Sequence, residues 1–197
     1  SWINGMPLSP AGPREPLHIR TVTCTGYHRE DGLWDIEGHL TDTKTYGFDN
    51  ARRGHVASGK PVHDMWIRLT VDNDFEVQNV EAVTDASPYS ICPDITVNFK
   101  LIKGLKIGPG WRKQIHSRVG GAHGCTHLVE LLGPVATTAY QTIHSAKARQ
   151  RHKAKKANDD PSRPNGRPRL LNSCHAFGES SVVVQEYWPE YFKAPET

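Results

Sequence analysis

The apolar residues of this chain change their spacing once, and that change bounds the folds open to it. From Leu17 to Thr84 they alternate with polar residues at period two; from Ser90 to about Lys153 they recur every third or fourth position. Alternation belongs to strands with one buried face, and the longer period to helices with an apolar stripe. Leu17 to Tyr27 is rich in Thr, Val and Ile, and Leu33 to Phe48 carries Trp34, Ile36, Gly38 and Leu40 on one side. Between them, His28 to Gly32 holds the Asp-Gly signal of a hairpin. A Gly-rich basic loop is expected over Asp49 to Lys60. Val62 to Val71 then sets Met65, Ile67, Leu69 and Val71 against Trp66, Arg68 and Thr70, and Asp72-Asn73-Asp74 turns it into a fourth strand, Phe75 to Thr84.

Beyond Asp85-Ala86-Ser87-Pro88, Ile91, Ile95, Phe99 and Ile102 predict a helix over Ser90 to Leu105, with Pro93 in its first turn. Trp111, Ile115 and Val119 predict a short second helix that stops at Gly120-Gly121. Thr126 to about Lys153 carries the longest helical pattern, and Pro134 inside it predicts a kink or break near Gly133. Ser181 to Tyr187, with three consecutive valines, predicts a returning strand that pairs with the first four. The expected fold is α+β: a mainly antiparallel sheet, made of a four-strand meander plus a C-terminal strand, with three helices packed on one face. A strongly curved sheet wrapped around the long helix is the alternative.

At 197 residues and 37% hydrophobic content the chain has length for one ordinary core, expected over 17–197, preceded by a disordered or tag-derived segment 1–16. The longest uncharged stretch, Leu131 to Ala146, falls short of the ~20 apolar residues that span a bilayer and includes Gly133 and Pro134, so no membrane span is expected. Four cysteines without regular spacing do not make a disulfide framework and fit a reduced cytosol. Nine Lys or Arg crowd His144 to Arg169 against Asp159 and Asp160, so the rest of the chain is net acidic. No aromatic residue interleaves that basic run, which removes the stacking platform of a single-strand binder. The run is expected to be a helix end followed by a flexible basic stretch, 153–169, and nucleic acid is not the expected partner.

The densest chemistry lies in Gly120-Gly121-Ala122-His123-Gly124-Cys125-Thr126-His127-Leu128-Val129-Glu130. A thiol at a helix start sits where free N–H groups favour the thiolate. His127 is two residues on, and Glu130 follows within a turn, so Cys125, His127 and Glu130 are the candidate catalytic groups. Cys-x-His is also half a metal site. His63-Asp64 and Cys174-His175 are the candidates to complete it, giving Cys125, His127, Cys174, His175 and His63 as possible ligands of a divalent transition metal such as zinc or iron. The opposing reading makes the thiols small buried hydrophobes and the histidines hydrogen-bonding core residues. Asp31, Asp35 and Glu37 with Arg20 and Arg29 suggest a polar patch at the first hairpin, and Trp34, Trp66 and Trp111 are candidate pocket walls for an aromatic or acyl ligand. Cys24 and Cys92 are expected in or near the core.

Three blocks, Asp31 to Leu40, His63-Asp64-Met65 and Gly124 to Leu132, together with Asn172-Ser173-Cys174-His175-Ala176, resemble the bacterial family numbered 2889 among domains of unknown function. The resemblance runs from roughly Leu17 to Tyr187 and maps the family's motif onto Asp31, Gly32, His63, Asp64, Cys125, His127, Glu130 and Cys174. It implies an organisation of the chain and no reaction. From the residues, the expectation is a cytosolic small-molecule enzyme of hydrolase or lyase type, acting on an organic acid, aromatic or acyl substrate. The alternative is a non-enzymatic module that binds a ligand or partner and carries a basic tail.

Overall fold

The period-two half becomes strands in the expected order. In the computed structural model, which describes residues 8–157, 167–168 and 170–194, β1 (His18–His28), β2 (Trp34–Lys44), β5 (Pro61–Val71) and β6 (Val77–Ala86) form one antiparallel sheet, each strand beside its neighbour in that order. The region expected to be a loop between β2 and β5 instead folds into a small hairpin of β3 (Phe48–Asn50) and β4 (Gly54–Val56). The Asn50 side-chain oxygen accepts from the Arg52 and Arg53 amides at 2.8 and 3.0 Å, a local turn that replaces a type-specific loop sequence.

The alternation sorts the sheet's faces. On β2, Trp34, Ile36, Leu40 and Asp42 are buried while the intervening residues are part-exposed. Met65, Ile67, Leu69 and Val71 of β5 point the same way and meet three helical segments in one core. The first is a 3-10 helix, Cys92–Ile102, where an α-helix is expected. Phe99 and Ile102, three apart and therefore aligned on a three-residue turn, enter the core, whereas Ile91 stays exposed. The others are α1 (Trp111–Val119), with Trp111, Ile115 and Val119 buried, and α2 (Thr126–Ala157). Of the expected kink or break at Pro134, the break does not occur: α2 continues through it as one helix.

α2 lies close on the sheet because β2 has no side chain where it passes. A Cβ at Gly38 would stand 2.6 Å from Val135 Cγ2 and 3.0 Å from Leu131 Cγ. Glycine there lets Leu128, Leu131, Leu132, Val135 and Ala139 bury completely or nearly so, each large aliphatic worth roughly 1.5–3 kcal/mol of transfer free energy.

The chain divides into two units, Ser1–Arg151 and His152–Thr197. The sheet, hairpin and core above belong to the first. In the second, the expected valine strand is a helix, α3 (Val182–Tyr187). The Ser181 hydroxyl accepts from the Val184 amide at 3.1 Å and caps it, so a local hydrogen bond overrides the β preference of valine. Among the described residues no fifth strand joins the four-stranded sheet. Residues 1–7 and most of the basic stretch, 158–166 and 169, lie outside the described residues. No helix among the described residues is long and apolar enough to cross a membrane.

Candidate functional site

One inward position of β2 breaks the apolar series. After Trp34, Ile36, Gly38 and Leu40 comes Asp42, whose side chain is only 1% exposed. A carboxylate survives there because its neighbours supply donors. Register sets Arg20 of β1 and His63 of β5 directly opposite it. Arg20 donates Nε to Oδ1 and Nη2 to Oδ2, both at 2.8 Å. His18 Nε2 lies 3.0 Å from Oδ1, and His63 Nδ1 lies 3.0 Å from Oδ2. Burial pushes the Asp42 carboxyl up, but the hydrogen bonds from Arg20, His18 and His63 outweigh it and hold it well below the usual carboxylate range.

The fourth side comes from the start of α2. The Val129 amide bonds the Cys125 carbonyl at 2.9 Å, which makes Cys125 the residue that opens the helix. The glycines before it fold the chain back from α1: Gly121 takes φ +56°, and a Cβ on Gly124 would collide with the Val119 carbonyl. This turn sets the His127 ring on that of His63, centroids 3.8 Å apart and tilted by 32°. His127 Nε2 stands 3.8 Å from Asp42 Oδ2, and its Nδ1 stands 3.9 Å from Cys125 Sγ. Cys125 is half-buried, and its sulfur also touches Met65 Sδ at 3.8 Å. Burial lowers the titration of both imidazoles; His127 is lowered further by the Arg20 charge and His63 by His127, while Asp42 opposes the shift in each.

Glu130 also reaches this cluster, as a partner of Arg20: Nη1 donates to its Oε2 at 2.9 Å. Its exposed carboxylate also lines a groove of about 840 Å³ between α1 and α2, with Trp111, Ile115, Val129 and Pro134 as apolar walls and Arg112 and His116 on the α1 side. The groove and the histidine pair are distinct places that share Glu130, and the chemistry concentrates in the latter.

Cys125, His127 and His63 are therefore brought together, with Glu130 at the edge. Cys174 and His175 lie in the second unit, Cys174 exposed and His175 opening a 3-10 turn. The sequence places Arg20 only in the hairpin patch and gives Asp42 and His18 no motif of their own. A carboxylate on the buried phase of the β2 alternation was the available signal. The hairpin patch separates by face: Arg29 pairs with Asp31 and Asp35, and Glu37 pairs with Arg68, while Arg20 points to Asp42. Of the tryptophans, Trp111 lines the groove and donates to the Leu132 carbonyl, Trp34 is core, and Trp66 stacks on His39 on the opposite sheet face. Cys24 and Cys92 are half-buried, and Cys24 packs on the core.

Fold and site define a two-layer α+β protein with a buried carboxylate gripped by arginine beneath a pair of imidazoles. The chain belongs to the family described as protein of unknown function, DUF2889, whose model matches residues 18–141. That span contains Asp42, His63, Cys125, His127 and Glu130 and ends before Cys174 and His175. No curated protein and no solved structure gives a significant match.

Proposed function

We propose that this chain is a cytosolic enzyme of hydrolase or lyase type that acts on a small organic acid, aromatic or acyl substrate, with Cys125 and His127 at the reacting centre. The observation that carries the reading is the use of both ends of one imidazole: Nδ1 towards the Cys125 sulfur at 3.9 Å and Nε2 towards the Asp42 carboxylate at 3.8 Å. A thiol, a base and a carboxylate behind the base are the parts nucleophilic catalysis requires, and such contacts tighten when substrate binds. In a hydrolytic cycle His127 takes the Cys125 proton, and the thiolate adds to the substrate's acyl carbon. His127 then returns the proton to the leaving group. Water, giving its proton to His127, releases the acid and restores the thiol. The N–H groups at the α2 start face the developing oxyanion. Glu130, engaged by Arg20, steadies the cluster in this scheme instead of carrying the proton.

The test is turnover of a panel of aromatic and aliphatic esters and thioesters by the full chain. Cys125→Ser and His127→Ala are each expected to lower kcat by about 10²-fold or more. Unchanged turnover in both variants removes the site.

The second reading, a non-enzymatic module, is favoured by the α1–α2 groove, whose apolar walls and cationic side suit an aromatic acid. Saturable binding of such acids, abolished by Ile115→Glu and untouched by Cys125→Ser, with no turnover of any ester, supports it over the enzyme.

A further inference from the structure

Asp42, His63 and His127 each offer one ligand atom, and the three atoms lie within 4.8 Å of one another. We propose that they bind one divalent transition-metal ion of the zinc or iron class and leave part of its coordination sphere open to solvent or substrate. The inference goes beyond the reading above: an ion on His127 Nε2 leaves the proton of the neutral ring on Nδ1, so the ion-loaded site does not take the Cys125 proton, and ion binding is measured without turnover.

Spacing supports it first. An ion roughly 2.1 Å from nitrogen and oxygen ligands places neighbouring ligands roughly 3.0 Å apart at octahedral angles and roughly 3.4 Å at tetrahedral ones. His63 Nδ1 is 3.0 Å from Asp42 Oδ2 and His127 Nε2 is 3.8 Å from the same oxygen. The first gap matches the octahedral edge, the second exceeds the tetrahedral edge by about 0.4 Å, and the two imidazole nitrogens lie within 4.8 Å of each other, so the rings close towards the carboxylate when an ion binds.

Arg20 grips both carboxylate oxygens of Asp42, Nε on Oδ1 and Nη2 on Oδ2; His18 completes the hold on Oδ1, while Oδ2 is the oxygen that faces both His63 and His127. Outer hydrogen bonds that orient a ligating carboxylate are a regular part of metal sites. Charge agrees: the Arg20 guanidinium faces two carboxylates, Asp42 and Glu130, so with neutral imidazoles the cluster has negative charge in excess. Access agrees as well, since His63 and His127 are 16% and 25% exposed above a carboxylate that is sealed.

Two imidazoles and one carboxylate are a borderline donor set that suits zinc or ferrous iron, and three protein ligands leave positions for a water or a substrate oxygen. The Cys125 sulfur lies against His127 Nδ1, the nitrogen turned away from Asp42. It is therefore outside the ligand set.

The full chain, stripped with chelator and dialysed, is titrated with Zn²⁺ and Co²⁺ by calorimetry and visible absorption. About one ion per chain is expected. His63→Ala, His63→Gln, His127→Ala and Asp42→Asn should each weaken binding at least 10-fold, with thermal unfolding in chelator identifying the variants that remain folded. His39→Ala, on the opposite sheet face, and the Cys174→Ser/His175→Ala double variant should bind as the parent does. Absence of ion binding by the parent, or equal binding by folded His63→Gln and His127→Ala, overturns the assignment. A thiolate-to-cobalt absorption band that Cys125→Ser removes overturns this ligand set too. Ester turnover that depends on Cys125 and His127 in a protein that binds no ion ends the metal proposal and leaves the enzyme standing. Ion binding lost with His63 in a protein without turnover does the reverse.

Discussion

Arg20 and Asp42 face each other across β1 and β2, and the guanidinium meets both carboxylate oxygens at 2.8 Å. This fork is what lets a carboxylate occupy the buried phase of the sheet, and it presents the remaining lone pairs of Asp42 to two histidines. A stability requirement and a site are thus met by one pair of residues.

Replacing the arginine separates those roles. Arg20→Met leaves Asp42 buried with only His18 and His63 as donors, and should cost about 2 kcal/mol in urea unfolding, the worth of a lost hydrogen bond to a charged group. Arg20→Lys should recover less than half, because an ammonium cannot match the two-oxygen geometry. A loss below about 0.5 kcal/mol would show that Asp42 finds water without its partner.

The sheet-to-helix approach makes its own prediction. Gly38→Ala puts a methyl group against Val135 and Leu131 and should destabilise the fold by about 1–3 kcal/mol, the range for overpacking a filled core. Chemical denaturation measures it. Stability equal to the parent would mean that α2 shifts freely on the strands.

In the second unit, Glu179 accepts from Lys193 and Arg167 at 2.7 and 2.9 Å. The Lys193 hydrogen bond, against slight desolvation and with the charges of Lys193 and Arg167 adding, holds its carboxyl below the usual range. A lowered folded-state pKa adds stability above the ordinary glutamate value of ~4.3, and that contribution disappears as pH falls through the folded value. Amide protection over 170–194 should hold from pH 7 to about 5 and loosen below about 4. Glu179→Gln should show the loosened state at pH 7 and no acid step. Protection that stays flat to pH 2 in the parent argues against the pairing.

Thiol reactivity should follow environment. Cys174 is exposed, whereas burial pushes the Cys24 thiol up, only partly countered by Thr138. Iodoacetamide at pH 8, read by peptide mass, should label Cys174 at least about tenfold faster than Cys24. Equal rates would show that β1 opens at the sheet edge.

Much of the architecture was legible because periodicity is a local property. The strands at Trp34 to Lys44 and Pro61 to Val71, and the helices from Trp111 and Thr126, follow from which residues alternate and which recur by turns. The misses were local too, but of a different kind. Ser181 converts a valine run into a helix with one hydroxyl, and Asn50 builds a hairpin where glycine and arginine suggested a loop. Single side-chain hydrogen bonds of this sort leave no periodic trace.

The site divides in the same way. Cys125, His127 and Glu130 stand out in the sequence because a glycine-rich turn and a helix start bring them close along the chain. By itself the sequence determined that such a turn exists, that a carboxylate falls on the inward phase of β2, and that sheet and helices share one core. Only the tertiary structure decided that Arg20, Asp42, His63 and His127 converge, since strand register and the seating of α2 over Gly38 are contacts between residues as far apart in sequence as Gly38 and Val135, 97 positions. No pattern within any one segment encodes which of its faces another segment will meet; burial of the whole apolar surface at once selects it.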